Sequence, residues 1–187
     1  MQMTEAVSEA QASKRQGKYL VFHLGREEFG VHVLKVREIM GIQEITSVPQ
    51  TPAFVKGVIN LRGKVIPVID LRRKFRLDEV AYTQRTCIIV LQVAHESGNM
   101  LMGAIVDGVS EVLTIQEGEI EDTPEFGAEM KMPYILGMAK VKGKVKILLD
   151  IDQVLTAIEV EGVTQMPNLA TLPGDAEQSA IDPLPMQ

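Results

Sequence analysis

GVINLRGKVIPVIDL, at residues 57–71, and GMAKVKGKVKILLDI, at residues 137–151, are two versions of one sequence pattern. In each version a run of aliphatic and β-branched residues leads to a basic residue and a glycine, and a second such run follows. This arrangement predicts a β-hairpin. The positions at which the two versions are identical are Gly57/Gly137, Gly63/Gly143, Lys64/Lys144, Val65/Val145 and Asp70/Asp150. The duplication predicts that the chain is built from two related halves.

The duplication extends upstream of the hairpins with a slightly different offset. FGVHVLKVREIM, at residues 29–40, aligns with MGAIVDGVSEVL, at residues 102–113, and this alignment places Glu38 over Glu111. Two related halves predict two similar small modules that face each other. The seam between two such modules is a natural place for a binding site.

The composition is that of a globular protein with an aliphatic core. Hydrophobic residues make up 45% of the 187 residues, whereas aromatic residues make up 4% and tryptophan is absent. A single cysteine excludes an internal disulfide, which fits the reducing conditions of the cytoplasm. No stretch approaches the ~18 consecutive apolar residues of a membrane span, and the N-terminus lacks the apolar run of a signal peptide. These features predict a cytoplasmic protein without direct membrane insertion.

The charges are divided unevenly along the chain. The net charge is −6, yet all 19 lysines and arginines lie within residues 1–146, so the body is close to neutral and the C-terminal part is acidic. Neither part offers the basic stripe that nucleic-acid binding requires. Residues 1–17 and the acidic, proline-containing residues 161–187 are expected to be flexible segments on either side of one domain.

Short strands, tight turns and a short helix after each hairpin predict a mostly β fold. Asp70 and Asp150 end the two hairpins at positions suited to capping those helices. Closed barrels leave no strand edge exposed, so we expect two small barrels packed side by side. The domain is expected to span residues 18–160, with subdomains of about 18–83 and 84–160 between which strands can be exchanged.

The sequence carries no motif of enzyme chemistry. The segment GVINLRGK differs from a phosphate-binding loop, because five residues separate its glycines and a valine follows the lysine. His23, His32 and His95 are not spaced as metal ligands. Cys87 lies in an apolar strand, which favours a buried hydrophobic role over a reactive thiol. The sequence therefore predicts a protein that is not an enzyme and that needs neither a metal nor another cofactor.

A longer stretch, FGVHVLKVREIMGIQEITSVPQTPAFVKGVINLRGKVIPVIDLRRKF at residues 29–75, closely resembles the CheW family of bacterial chemotaxis adaptors. VDGVSEVL and the later GMAK and LLDID match further landmarks of that family in the same order, so the resemblance extends over about residues 18–158. It implies two five-stranded SH3-like barrels with a groove between them and a short helix at the end of the second barrel. It also implies a non-catalytic scaffold that couples chemoreceptors to the histidine kinase CheA.

The resemblance implies which partners to expect. In the family, the regulatory domain of CheA alternates with the adaptor in rings, and the cytoplasmic tip of a chemoreceptor lies in the adaptor's groove. Other copies of the chain are a further candidate partner in such rings. The protein is therefore expected in the cytoplasm, held at membrane-associated receptor arrays through these partners. Weak helix-in-groove contacts would gain strength from the many copies in an array.

The family motifs also carry over to receptor-binding candidates. These candidates are Val36, Glu38, Ile39, Arg62, Cys87 and Ile88. For Glu38 and Arg62 a second interpretation stays open, in which the two charges pair across the first barrel and hold a strand to the hairpin. For Cys87 and Ile88, packing in the core is the alternative to a place in the seam.

A second set of residues matches the kinase contacts of the family. The candidates are Ile42, Lys56, Val65, Glu125 and Phe126. Packing beneath its own linker is an equally open interpretation of Phe126. The glycines of the two hairpins are expected to serve the backbone of turns rather than to bind a partner. They are Gly57, Gly63, Gly137 and Gly143.

Two other functions have to be separated from this one. An adaptor of a parallel chemosensory pathway would have the same fold and would differ in the kinase that it serves. A small-barrel nucleic-acid-binding protein would need a basic face with interleaved aromatic residues. The sequence pI of about 5.2 and the small number of aromatic residues oppose that second alternative.

Overall fold

The structure, a computed structural model, describes residues 15–95, 97–124 and 132–158. The strands are β1 (Gly17–Leu24), β2 (Glu27–His32), β3 (Val36–Gly41), β4 (Val55–Leu61), β5 (Lys64–Asp70), β6 (Cys87–His95), β7 (Gly98–Val106), β8 (Gly108–Ile115), β9 (Ile120–Glu121), β10 (Ile135–Val141) and β11 (Lys144–Leu149). The α-helices are α1 (Leu71–Lys74) and α2 (Ile151–Ile158), and short 3-10 helices span Val33–Lys35 and Glu117–Glu119.

The two predicted hairpins are β4–β5 and β10–β11, and their turns have the same geometry. Arg62 and Gly63 have φ angles of 51° and 84°, and Lys142 and Gly143 have φ angles of 52° and 76°. A two-residue turn with positive φ at both positions matches the twist of the flanking strands. Glycine adopts such angles without steric cost, which explains the shared basic residue–glycine pair.

Both helices begin at the predicted aspartates. A carboxylate oxygen of Asp70 accepts a hydrogen bond from the backbone N–H of Arg72 at 2.9 Å, and Asp150 accepts one from the N–H of Asp152 at 3.0 Å. These side chains satisfy N–H groups that have no partner within the first helical turn. Each half of the chain therefore ends in a capped helix, as its sequence predicts.

The strands form two sheets. The five-stranded sheet has the order β3-β6-β7-β5-β4, and the six-stranded sheet has the order β8-β1-β2-β11-β10-β9. One parallel pair occurs in each sheet, and these pairs join aligned positions of the repeat: Val68 with Gly103, and Leu148 with Gly30. The prediction of a mostly β fold in two small packed units is confirmed. The second unit has six strands rather than five, because β9 adds to the edge of β10.

The two sheets do not follow the two halves of the sequence, because strands are exchanged between the halves, as the domain prediction allowed. Hairpin β1–β2, from the first half, lies in the six-stranded sheet with β8–β11, whereas β6 and β7, from the second half, lie in the five-stranded sheet. Each half thus contributes its first two strands to the other half's sheet. The same pattern occurs in both halves, so the sequence periodicity does not indicate which copy a strand pairs with.

The buried side chains form three clusters. The inner cluster of the five-stranded sheet contains Ile59, Ile66, Val68, Ile88, Val90 and Ile105. The inner cluster of the six-stranded sheet contains Tyr19, Ile115, Ile120, Ala139 and Leu148. The central cluster draws on both sheets and contains Leu20, Phe22, Leu24, Phe29, Val31, Phe54, Val55, Ile69, Leu71, Ile89, Leu91, Val93, Met102, Ala104, Val106, Leu149, Ile151 and Val154. The seam between the sheets is therefore filled by side chains, and a partner can reach only its borders.

Helix α2 attaches to the central cluster. Ile151 and Val154 are buried in it, as the apolar face of the helix requires. The Nζ of Lys35 lies 2.6 Å from a carboxylate oxygen of Asp152, and the N–H of Ala94 donates to the other oxygen at 2.9 Å. Among the described residues, the helices are too short to cross a bilayer.

Candidate functional site

Strand β3 is an edge strand of the five-stranded sheet, and it carries an exposed aliphatic side chain. It pairs with β6 along one edge, and Ile39 is 45% exposed, whereas the next residue, Met40, packs against the inner cluster of this sheet. The alternation follows from the period of two in a strand. Large aliphatic side chains exposed at a sheet edge are candidates for protein contacts.

Glu38 and Arg62 form an ion pair beside Ile39. A carboxylate oxygen of Glu38 lies 2.7 Å from the Nη2 of Arg62, so the pair joins β3 to the turn of the β4–β5 hairpin. The pairing interpretation of these two residues is therefore confirmed. The Arg62 side chain is 75% exposed, and a guanidinium has five N–H donors, so donors remain for a partner. Receptor contact by either residue stays a prediction.

Val36 and Cys87 lie at the border of the central cluster, against which both are partly buried. They lie at opposite ends of the β3–β6 ladder, because Val36 pairs with Leu91 and Cys87 pairs with Gly41. Burial raises the pKa of the Cys87 thiol, and this disfavours the reactive thiolate. Ile39 pairs with Ile89, so it lies between these two residues on the same face of the ladder, and Cys87 is two residues along β6 from the partner of Ile39.

The prediction that Ile88 contacts a receptor has to be corrected. Its side chain has no solvent exposure and belongs to the inner cluster of the five-stranded sheet. Successive residues of β6 face opposite sides, so Ile88 points away from the border on which Cys87 lies. A side chain without exposed surface cannot contact a receptor in this conformation. The interpretation as a core residue therefore holds for Ile88, and the prediction of receptor contact is wrong.

The described kinase-binding candidates differ in exposure. Val65 is 47% exposed at the start of β5, next to the hairpin turn. Lys56 is partly buried on β4, with its Nζ 5.8 Å from the centroid of the Tyr82 ring. Ile42 packs against the inner cluster of the five-stranded sheet. Val65 is thus the most accessible of the three. The remaining two candidates, Glu125 and Phe126, lie outside the described residues.

Two of the four predicted turn glycines lie in strands. Gly57 lies at a bulge in β4 with a φ of 139°, and a Cβ there would lie 2.0 Å from the carbonyl oxygen of Thr46. A Cβ on Gly137, within β10, would lie 2.7 Å from the Cγ2 of Ile120. The assignment of both glycines to turns is wrong, because close packing against a neighbouring segment requires them instead. Gly63 and Gly143 do lie in turns.

The six-stranded sheet exposes aliphatic side chains at the matching positions. Val112 aligns with Ile39 and is 53% exposed, and Val145 aligns with Val65 and is 51% exposed. Neither residue was among the predicted contact residues, although the repeat aligns them with Ile39 and Val65.

Within the described residues, the six-stranded sheet has no counterpart of the Glu38–Arg62 ion pair. Glu111 and Lys142 align with Glu38 and Arg62, but no salt bridge joins them within the described part of the chain. The two sheets therefore repeat the exposed aliphatic positions but not the ion pair beside them.

A cleft of about 240 Å³ is lined in part by the connection between the two halves, residues 77–86. Its arginines are compensated, because Arg72 pairs with Asp107 and Arg73 pairs with Glu79. Among the described residues, no group of His, Cys, Asp and Glu side chains is arranged to hold a metal ion. The exposed features of β3 and the first hairpin are thus aliphatic side chains beside a compensated ion pair. This surface is that of a scaffold that docks other proteins.

Comparisons with known proteins agree with this class. The family model of the CheW-like domain matches residues 18–159. The chemotaxis protein CheW of Klebsiella aerogenes is 41% identical over 143 residues, which cover 76% of this chain and 84% of that protein. CheW of Rhizobium meliloti is 34% identical over 142 residues, which cover 76% of this chain and 89% of that protein.

A solved structure gives the same result. The crystal structure of the scaffolding protein TtCheW from Thermoanaerobacter tengcongensis is 34% identical, with a TM-score of 0.66, and the match covers 74% of this chain and 92% of that one. The chain therefore belongs to the CheW-like family. The sequence prediction of a chemotaxis adaptor of this family is confirmed.

Proposed function

We propose that this chain is a non-catalytic adaptor that couples chemoreceptors to the histidine kinase CheA, from the cytoplasm, within membrane-associated arrays. The proposal rests on family membership and on one structural observation: Ile39 is exposed at the end of a sheet beside the Glu38–Arg62 ion pair. An aliphatic side chain next to an arginine with free donors suits a partner that is itself amphipathic.

The cytoplasmic tip of a chemoreceptor is the proposed partner of the surface formed by strand β3 and the adjoining turn of the β4–β5 hairpin. A helix lying along this surface would set its apolar face on Val36 and Ile39, and an acidic residue next to that face could accept from Arg62. Few residues are involved, so one contact of this kind is weak. Repetition in an array supplies the strength, because each bound neighbour raises the effective concentration for the next contact.

The regulatory domain of CheA is the proposed partner of the surface around Val65. Val65 lies on β5, whereas Ile39 lies on β3, and two other strands lie between these two in the sheet order. Because the Glu38–Arg62 ion pair brings the turn of the β4–β5 hairpin next to β3, the proposed kinase surface adjoins the proposed receptor surface. Lys56, Ile42 and Cys87 are proposed to lie at the margins of these surfaces. Glu125 and Phe126 are proposed as a second ring contact, and other copies of the chain as further ring partners.

The test is autophosphorylation of CheA from the same organism, in membranes that carry receptors, with and without this protein. Addition of the adaptor should raise the kinase rate severalfold. Val36→Met should abolish most of that increase, because the longer side chain changes the surface beside Ile39 while remaining apolar. Val109→Met is the matched control, because Val109 aligns with Val36 and also packs partly buried against the central cluster. This control should activate the kinase normally.

A second substitution tests the charged part of the same surface. Arg62→His should reduce receptor coupling while leaving the protein folded, since its side chain is largely exposed. Normal activation by folded Val36→Met and Arg62→His variants would contradict the receptor surface. Activation of a second CheA paralogue, without activation of the first, would instead assign the chain to a parallel chemosensory pathway.

A further inference from the structure

The tip of the β10–β11 hairpin is a concentrated basic surface. Lys140, Lys142 and Lys144 alternate along it, whereas the aligned residues of the first hairpin are Asn60, Arg62 and Lys64. Lys140 pairs with Glu121 at 2.7 Å. Lys142 and Lys144 are exposed and form no salt bridge with any residue that the structure describes.

The acidic residues near this hairpin already form salt bridges with other basic residues. Arg15 holds Asp122 at 2.5 Å and Glu117 at 2.9 Å. Glu28, on the strand next to β11, pairs with Lys146 at 2.6 Å. Lys142 and Lys144 are therefore left without a salt-bridge partner within the described ranges, although the charge of Lys144 also acts on Glu28. By contrast, Glu38 compensates Arg62 at the tip of the first hairpin.

The basic tip also has an apolar component. Val145 follows Lys144, pairs with Lys140 across the hairpin, and is 51% exposed on the face of the tip opposite to that of Lys144. An acidic segment that also carries aliphatic side chains would complement both features.

The chain after α2 has that composition. Residues 159–187 contain five acidic residues and no lysine or arginine. Within this segment the stretch LPGDAEQSAIDPL, at residues 172–184, places Asp175, Glu177 and Asp182 among leucine and isoleucine. Its charge is opposite to that of the hairpin tip, and its aliphatic residues match the exposed valine.

The connection is long enough for the segment to reach the tip. Helix α2 follows β11 almost directly, so Ile158 is separated from the tip by one strand of about 20 Å and one helix of about 12 Å. Sixteen residues lie between Ile158 and Asp175, and an extended chain of that length spans about 55 Å. Tethering also gives the segment a high effective concentration at the tip.

We propose that the acidic segment 172–184 docks on the tip of the β10–β11 hairpin, over Lys142, Lys144 and Val145, within one molecule. The segment passes around the end of the hairpin, with its acidic residues on the lysines and an aliphatic residue on Val145, so the contact is sensitive to salt. It covers the position that matches Val65 in the repeat.

Nuclear magnetic resonance of the full-length protein tests this contact. The amide spectrum is compared between the unmodified chain and Asp175→Asn/Glu177→Gln/Asp182→Asn. The amides of 142–145 should shift, and the aligned amides of 62–65 should not. Lys142→Gln/Lys144→Gln should in turn shift the amides of 175–182, and ~0.5 M NaCl should reproduce both changes in the unmodified chain. Dilution should leave the shifts unchanged, because the contact is intramolecular.

Three outcomes would overturn the proposal. The amides of 142–145 could fail to respond to neutralisation of the acidic residues. They could respond no more than the amides of 62–65, which would show a general charge effect. They could respond only at high protein concentration, which would show a contact between molecules.

Discussion

The two sheets bury different kinds of side chain at the same pair of aligned positions. At one aligned position, the five-stranded sheet has Ile66 in its inner cluster, and the six-stranded sheet has Lys146, whose side chain is 5% exposed. The Nζ of Lys146 lies 2.6 Å from a carboxylate oxygen of Glu28, and Leu101 aligns with Glu28 in the other sheet. The fold therefore accepts either an aliphatic pair or an ion pair here, provided that both partners are of one kind.

This difference also bears on which strands pair. Glu28 lies on β2 from the first half, and Lys146 lies on β11 from the second half. If each half kept its own first two strands, Glu28 would meet Ile66 and Lys146 would meet Leu101, and two buried charges would lack a partner. Unpaired buried charges are strongly destabilising. The ion pair thus favours the exchanged arrangement that the structure shows.

The largest expected effect comes from breaking this ion pair. Glu28→Leu should lower the free energy of unfolding by about 3–5 kcal/mol, because it leaves the ammonium of Lys146 buried alone. Glu28→Leu/Lys146→Ile, which copies the other sheet, should recover most of that loss. Urea denaturation measures both variants. A single variant that loses less than about 1 kcal/mol would show that Lys146 reaches solvent.

A smaller effect is expected from the two strand glycines. Gly57→Ala should cost about 3 kcal/mol, because the backbone is strained at a φ of 139° and the new Cβ collides with the carbonyl oxygen of Thr46. Gly137→Ala should cost about 2 kcal/mol, because the new Cβ would lie 2.7 Å from the Cγ2 of Ile120 and 2.8 Å from the carbonyl oxygen of Glu121, but the backbone there has no positive φ. Thermal unfolding of both variants gives the order, and a larger cost at Gly137 would contradict it.

Acid should affect the six-stranded sheet through Glu28. The hydrogen bond from Lys146 is the main cause that holds the pKa of Glu28 below its usual value. A depressed folded-state pKa gives stability that is present above the unfolded pKa and is lost as the pH falls. The free energy of unfolding should therefore drop below about pH 4.3. Glu28→Leu/Lys146→Ile should lack this component, and an unchanged pH profile in that variant would exclude it.

The helix caps should contribute equally in the two halves. Asp70→Ala and Asp150→Ala should each lower the free energy of unfolding by about 1 kcal/mol, because each removes an acceptor for the first helical N–H groups. The double variant should show the sum of the two effects, since the caps belong to different helices. Chemical denaturation of the three variants measures this, and strong non-additivity would indicate that the two helices are coupled.

The smallest effect on stability is expected at the hairpin tips. Arg62→Ala should change the free energy of unfolding by less than about 0.5 kcal/mol, because its ion pair with Glu38 is exposed and screened. Lys142→Ala should change it as little. A loss of receptor coupling in Arg62→Ala without a loss of stability would separate the contact role of Arg62 from its structural role.

Local features were the most predictable part of this molecule. The hairpin turns at Arg62–Gly63 and Lys142–Gly143 and the caps at Asp70 and Asp150 involve residues close in sequence, so short patterns determine them. The exposure of Ile39 and Val65 also agrees with the alternation of their strands. Ile88 and Gly57 were misassigned, because their surroundings come from segments that are distant in sequence.

The sequence by itself determined the duplication, the mostly β character and the membership of the CheW-like family, since each depends on residue types and their local order. The tertiary structure alone decided which half supplies each strand, how the seam between the sheets is filled, and that Lys146 is buried against Glu28. The physical reason is that both halves have the same strand pattern. Only the packing of side chains from distant segments distinguishes one pairing from the other.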